Sequence, residues 1–156
     1  MVALEDAARA VLDESRYVVL GTADAGGRPW VSPVFYTMSG YRELVWMSSP
    51  EALHSRNLAV RPEVSLVVFD SRVEVGGAFA VYLSGVAAEV TGEAVAAVAA
   101  AYGAAALPKG GRLVRIDEVT GDGSYRMYRA TIREHWVLDP DSRPDSRPDG
   151  RKIVTL

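Results

Sequence analysis

Residues 17–38, YVVLGTADAGGRPWVSPVFYTM, constrain the fold more than any other stretch. Two short apolar runs flank DAGGR, whose glycines supply the backbone angles of a hairpin turn. The pair reads as strands YVVLGTA (17–23) and PWVSPVFYTM (29–38). Pro33 has no N–H to give to a ladder, so the return strand belongs at an edge or carries a bulge. The pattern recurs in LVWMS (44–48), VSLVVFD (64–70), FAVYLSGVAAEV (79–90), SYRMYRATIREHWVLD (124–139) and RKIVTL (151–156). Helical spacing is confined to three places: residues 3–15, a short run over 50–60, and TGEAVAAVAAAYGAAAL (91–107) with Thr91 as a candidate cap. Strands outnumber helices and most connections are short. A mainly β fold follows, an antiparallel barrel of six to seven strands with helices packed outside it. The repeat in PDSRPDSRPDG (140–150) reads as a solvated loop.

With 156 residues, one domain over 1–156 is expected. The chain has no cysteine, which removes disulfides and thiolate chemistry. A net charge of −3 speaks against nucleic acid as a partner. No apolar run approaches the ~18 residues of a membrane span. The amphipathic start MVALEDAARAVLDESR lacks the features of a secretory leader, so a cytoplasmic location is expected. His54 and His135 stand alone, without metal-ligand spacing, and no metal site is expected. No nucleophile elbow or phosphate-binding glycine loop is present, and no catalytic residue is assigned. Tyr36 is the one acid–base candidate, with a packed strand residue as its plainer reading.

SSPEALHSRN (48–57) concentrates polar groups at a strand–helix junction. Ser49 suits an N-cap, Pro50 the first helical position and Glu51 the first turn, so the helix is predicted to start there. Its free N–H groups and dipole, with the hydroxyls of Ser48 and Ser49, favour an anion. His54 falls on the face of Glu51 and Leu58, and Asn57 near that of Leu53. Arg56 lies about 200° from His54, so the two cannot share one ligand. An ordinary capped helix with a solvated histidine is the alternative.

In order along the chain, VLGTADAGGRPWVSPVFY (19–36), HSRNLAVRPEVSLVV (54–68), AVYLSGVAAEV (80–90) and YRATIREHW (128–136) resemble the pyridoxamine 5′-phosphate oxidase-like split-barrel flavoproteins. The resemblance implies a homodimer with a cofactor groove between subunits and a small-molecule substrate. The strand Ser32, Pro33, Val34, Phe35, Tyr36 and Thr37 would run beside the flavin ring, partly through backbone atoms. Met47, Ser48, Ser49 and His54, supported by Asn57, would hold the cofactor phosphate, and Trp136 would approach from the partner subunit. FMN is the implied cofactor. A composition typical of GC-rich genomes keeps a deazaflavin open, and the heme-handling relatives' similar HxRNL stretch keeps heme open, with no turnover. His54 stands where many relatives carry lysine, Thr37 where the true oxidase has lysine, and RPDGRK (147–152) replaces the family's arginine–histidine–aspartate ending. Pyridoxamine phosphate itself is therefore not the expected substrate.

Overall fold

The structure, a computed structural model, describes residues 3–139 and 150–156; the polar loop expected at 140–150 lies outside them except for Gly150. The elements are α1 (Leu4–Glu14), β1 (Tyr17–Ala23), β2 (Pro29–Phe35), β3 (Thr37–Ser39), β4 (Glu43–Ser48), α2 (Leu53–Val60), β5 (Glu63–Phe69), β6 (Ala80–Glu89), α3 (Ala94–Ala106), β7 (Arg126–Leu138) and β8 (Arg151–Val154). Eight antiparallel strands among the described residues form one curled sheet, in the order β2-β1-β5-β6-β7-β4-β3 with β8 added to β7. This is the split barrel, with more strands than the six to seven expected. The excess arises because 29–38 is two strands. Tyr36 interrupts it where the chain leaves its pairing with β1 and enters its pairing with β4.

The first hairpin forms as its sequence dictates. Asp24 accepts the N–H groups of Gly26 and Arg28, both at 2.9 Å, while Gly27 takes φ +86°. Pro33 sits opposite Val19 on the edge strand β2, so its missing N–H breaks no ladder. Inside the barrel Val18, Leu20, Val34, Leu44, Trp46, Leu66, Val81, Leu83 and Val137 form the main core, closed by Ala8 and Leu12 of α1. A second apolar cluster lies on the other side of the sheet, where Val95, Ala99 and Tyr102 of α3 cover Val45 and Met127.

Two helix starts differ from expectation. α2 begins at Leu53 rather than at residue 50, and its N-cap position, Ala52, offers no side-chain bond. The preceding residues form a tight turn instead. Ser49 Oγ accepts the Glu51 N–H at 3.2 Å, and the Ser49 carbonyl accepts the Ala52 N–H at 3.1 Å. Its hydroxyl is spent on that turn, so Ser49 does not cap the helix. α3 begins at Ala94, and Thr91 makes no cap to it.

The register leaves one row of apolar residues on the outside. Pro33 faces Val19, Val19 faces Val67, Val67 faces Tyr82, Tyr82 faces Trp136, and Trp136 faces Ile153. These six residues cross β2, β1, β5, β6, β7 and β8 on the face opposite the barrel core. Among the described residues no helix is long and apolar enough to cross a membrane.

Candidate functional site

β2 and β4 lie close together without a backbone ladder between them. β3 pairs β4 only over Glu43–Val45, so Trp46, Met47 and Ser48 have a strand partner on the β7 side alone. The opening between these strands is the split in the barrel. His54 of α2 fills its inner end. Its Nδ1 lies 3.1 Å from Ser32 Oγ on β2, and its Nε2 lies 3.0 Å from Ser48 Oγ on β4. The imidazole thus bridges two strands that share no ladder.

A second polar path runs beside the first. Asn57 donates through Nδ2 to Thr22 Oγ1 at 3.0 Å, and Thr22 Oγ1 donates to the Trp30 carbonyl at 3.4 Å. The Trp30 indole N–H donates to Ser32 Oγ at 3.0 Å. Both paths meet at Trp30 and tie α2 into the barrel mouth. His54, Ser55, Asn57 and Leu58 form the buried face of α2, while Arg56 and Leu53 face out. The separation of His54 from Arg56 is as the helix geometry required. The placement of Asn57 beside Leu53 was not; Asn57 points inward with His54.

Burial pushes the His54 pKa below its ordinary value, with no charged neighbour contributing. A neutral ring is the stable form here, and the solvated histidine of the plainer reading is overturned. His135 is also buried. Its Nε2 donates to the Tyr41 carbonyl at 2.8 Å, and desolvation again outweighs that bond and lowers its pKa.

The free edge of β2 adds a second recognition element. Tyr36 N–H bonds to the Arg16 carbonyl, and Asp24 N–H to the Arg28 carbonyl. Antiparallel alternation between these two pairs directs the backbone groups of Trp30, Ser32 and Val34 toward β1. The N–H groups of Val31 and Phe35 and the carbonyls of Val31, Pro33 and Phe35 then face the open edge.

The remaining expected site residues are spread out. Val34 and Tyr36 have their side chains in the barrel core. Tyr36 donates its hydroxyl proton to the Leu12 carbonyl at 2.7 Å, and burial, assisted by Asp13, raises its pKa. It is a packing residue, and the acid–base candidacy ends there. Phe35 and Met47 pack against the cluster beneath α3, and Thr37 is buried. Pro33 and Trp136 belong to the outer row. Trp136 stands ten residues along β7 from Arg126, the residue opposite Ser48, and so about 30 Å away along the strand. Within one chain it does not join the His54 cluster. Thr22 and Trp30 were not anticipated. The inward parity of Thr22 with Val18 and Leu20 was the signal available for the first. Among the described residues no group of three or more histidines and carboxylates is placed to hold a metal.

Solved structures share this architecture. A heme-binding protein from Mycobacterium smegmatis superposes with a TM-score of 0.72 at 22% identity, covering 99% of this chain, which spans 59% of that protein's length. HutZ, the heme storage protein of Vibrio cholerae, gives 0.67 at 22% identity over 85% of this chain and 92% of its own. An F420 reductase gives 0.61 at 16% identity over 81% and 94%. Identities this low establish the fold alone. No curated protein matches significantly. The family model described as pyridoxamine 5′-phosphate oxidase matches residues 4–139, most of the chain. With its four ordered segments and its split barrel, the chain belongs to the pyridoxamine 5′-phosphate oxidase family.

Proposed function

We propose that this protein is an FMN-dependent oxidoreductase acting on a small molecule other than pyridoxamine phosphate. The observation that carries the reading is the split between β2 and β4. One side offers free backbone donors and acceptors to the polar edge of a planar ring. The inner end offers the hydroxyl of Ser48, held by His54, with Ser32 behind it bonded to the other ring nitrogen. The N–H groups of Leu53, His54 and Ser55 open α2 without a side-chain cap. That donor set fits a phosphate held by neutral groups, with no fixed cation among them. A bound flavin supplies the redox chemistry, and the protein's part is to orient the ring and exclude water. Thr37, where the true oxidase of the resemblance carries lysine, is buried, which supports a different substrate.

The outer apolar row supports a homodimer. Two copies related by a twofold axis would cover Val19, Val67, Tyr82 and Trp136 of each other, and Trp136 would then reach the partner's groove. A cytoplasmic location remains part of the proposal.

A deazaflavin fits the same edge, and the F420 reductase shares the fold. The names of two solved neighbours favour heme as a second reading. Against it, both histidines of the chain are buried with Nε2 hydrogen-bonded, so neither is presented as an axial ligand. The visible spectrum of the purified protein separates these readings. Flavin bands in the blue are expected. A shorter-wavelength maximum would indicate deazaflavin, and a Soret band would overturn the flavin reading in favour of heme.

A further inference from the structure

The hydrogen bonds entering the split have a direction. An indole N–H only donates, so Ser32 Oγ is the acceptor from Trp30 at 3.0 Å. The Ser32 hydroxyl keeps its own proton, and its other described partner is His54 Nδ1 at 3.1 Å. If Nδ1 carried a proton, Ser32 would accept twice and its O–H would have no described partner in a half-buried place. With the ring proton on Nε2 the serine proton left over is that of Ser48 instead, but only then does every bond run in one direction, with Ser32 donating to Nδ1, and a chain of one polarity is the more stable of the two. His54 then donates to Ser48 Oγ at 3.0 Å. Ser48 accepts that bond, and its own proton is left over. Ser48 is the last residue of β4, beside the uncapped start of α2.

We propose that Trp30 is a positioning residue which, through Ser32 and His54, fixes the Ser48 hydroxyl as a hydrogen-bond donor into the split. The site then selects ligand groups that accept there, a phosphate or carbonyl oxygen, over groups that donate. This specificity rests on the split being a ligand site; the direction of the chain does not. Successive bonds of one polarity strengthen one another in a low-dielectric setting, so the terminal donor is stronger than an isolated serine. The groups bonded to the ring are Ser32 from β2 and Ser48 from β4, both neutral. On α2 itself Arg56 is exposed and turned away, and Glu51 in the preceding turn is exposed. A neutral ring, favoured by burial, is what the chain requires.

Nitrogen-15 NMR of the histidine rings in the full chain tests the direction without any ligand. His135→Gln assigns the two rings. The Nε2–H tautomer of His54 is expected at pH 7.5. Trp30→Phe releases Ser32 to accept from Nδ1, so the Nδ1–H population should rise about fivefold, one hydrogen bond's net worth, and the His54 pKa should rise. Trp30 is 49% exposed, so the variant is expected to fold. Ser32→Ala removes both the donor to and the acceptor from Nδ1, so the rise in Nδ1–H seen with Trp30→Phe should be absent from the double variant Trp30→Phe/Ser32→Ala. An Nδ1–H ring in the wild type, a tautomer unmoved by Trp30→Phe, or a shift that persists in the double variant, would overturn the chain. FMN titration then tests the donor, with Ser48→Ala expected to weaken binding about tenfold. Wild type that binds FMN, with Ser48→Ala binding equally well, would overturn the role of Ser48. Wild type that ignores FMN would overturn the cofactor reading, and the tautomer result would still decide the chain.

Discussion

Tyr82 stands directly opposite Trp136 on the outer face of the sheet, and the Arg151 guanidinium lies 4.3 Å above the Tyr82 ring. Both rings are half-buried in the single chain, and aromatic residues of this kind are typical anchors of protein interfaces. We expect a dimer at micromolar concentration by sedimentation equilibrium. Trp136→Ala should raise its dissociation constant roughly thirtyfold, the equivalent of about 2 kcal/mol for a buried aromatic anchor. A monomeric wild type would remove both the dimer and the reach of Trp136 into a partner.

Tyr36→Phe removes the hydroxyl that bonds Leu12, whose carbonyl keeps Lys109 Nζ at 3.3 Å. Loss of one buried hydrogen bond should lower stability by about 1 kcal/mol in urea titrations. Cofactor content and turnover should not change. A variant that folds but has lost activity would restore the acid–base role.

Both histidines have folded-state pKa values below the ordinary ~6.5, and burial is the leading cause for each. Below that value the unfolded chain binds protons that the native state does not. Stability is therefore full above the unfolded pKa and declines as pH falls from about 6.5 through the folded values. The urea midpoint should drop from pH 7 to pH 5, and His54→Gln should flatten part of the slope. A midpoint independent of pH in the wild type would show that the rings are solvated.

Gly85 marks the irregularity in the pairing of β6 with β7. A Cβ there would run into the carbonyl oxygen of Thr131 and lie 2.9 Å from its carbonyl carbon, both rigid backbone. Gly85→Ala should cost about 3 kcal/mol or more, since strand backbones must move apart. Circular dichroism melts comparing it with Ala87→Gly check this. Equal stability of Gly85→Ala and wild type would mean the bulge relaxes freely.

Strand positions were legible because each apolar run is bounded by turn residues, as in DAGGR and SGYRE. The division of 29–38 was not, since Tyr36 is as apolar as its neighbours and only the change of partner strand marks the break. The helix start at Leu53 was hidden because Ser49 and Pro50 suit a turn as well as a cap. The resemblance singled out Ser32, Ser48 and His54, and the structure brings them together. It gave no sign that Trp30 and Thr22 complete the cluster, because those contacts depend on which face of β1 and β2 turns inward. The same resemblance assigned Phe35, Thr37 and Met47 to the site. The alternation of side chains along β2, β3 and β4 sends them to the other side of the sheet, beneath α3.

The long strand β7 carries β4, β6 and β8 on its two edges, and its partner residues Glu43–Ser48 lie some eighty positions earlier in the chain. Pairings between segments so distant form slowly, because a large loop must close before the contacts repay it. The hairpins β1–β2 and β3–β4 can form as soon as they leave the ribosome. The Trp46–Ser48 end of β4 must wait for β7. Until β7 arrives, that segment is an unpaired apolar edge, and chaperone binding or misassembly should concentrate on it.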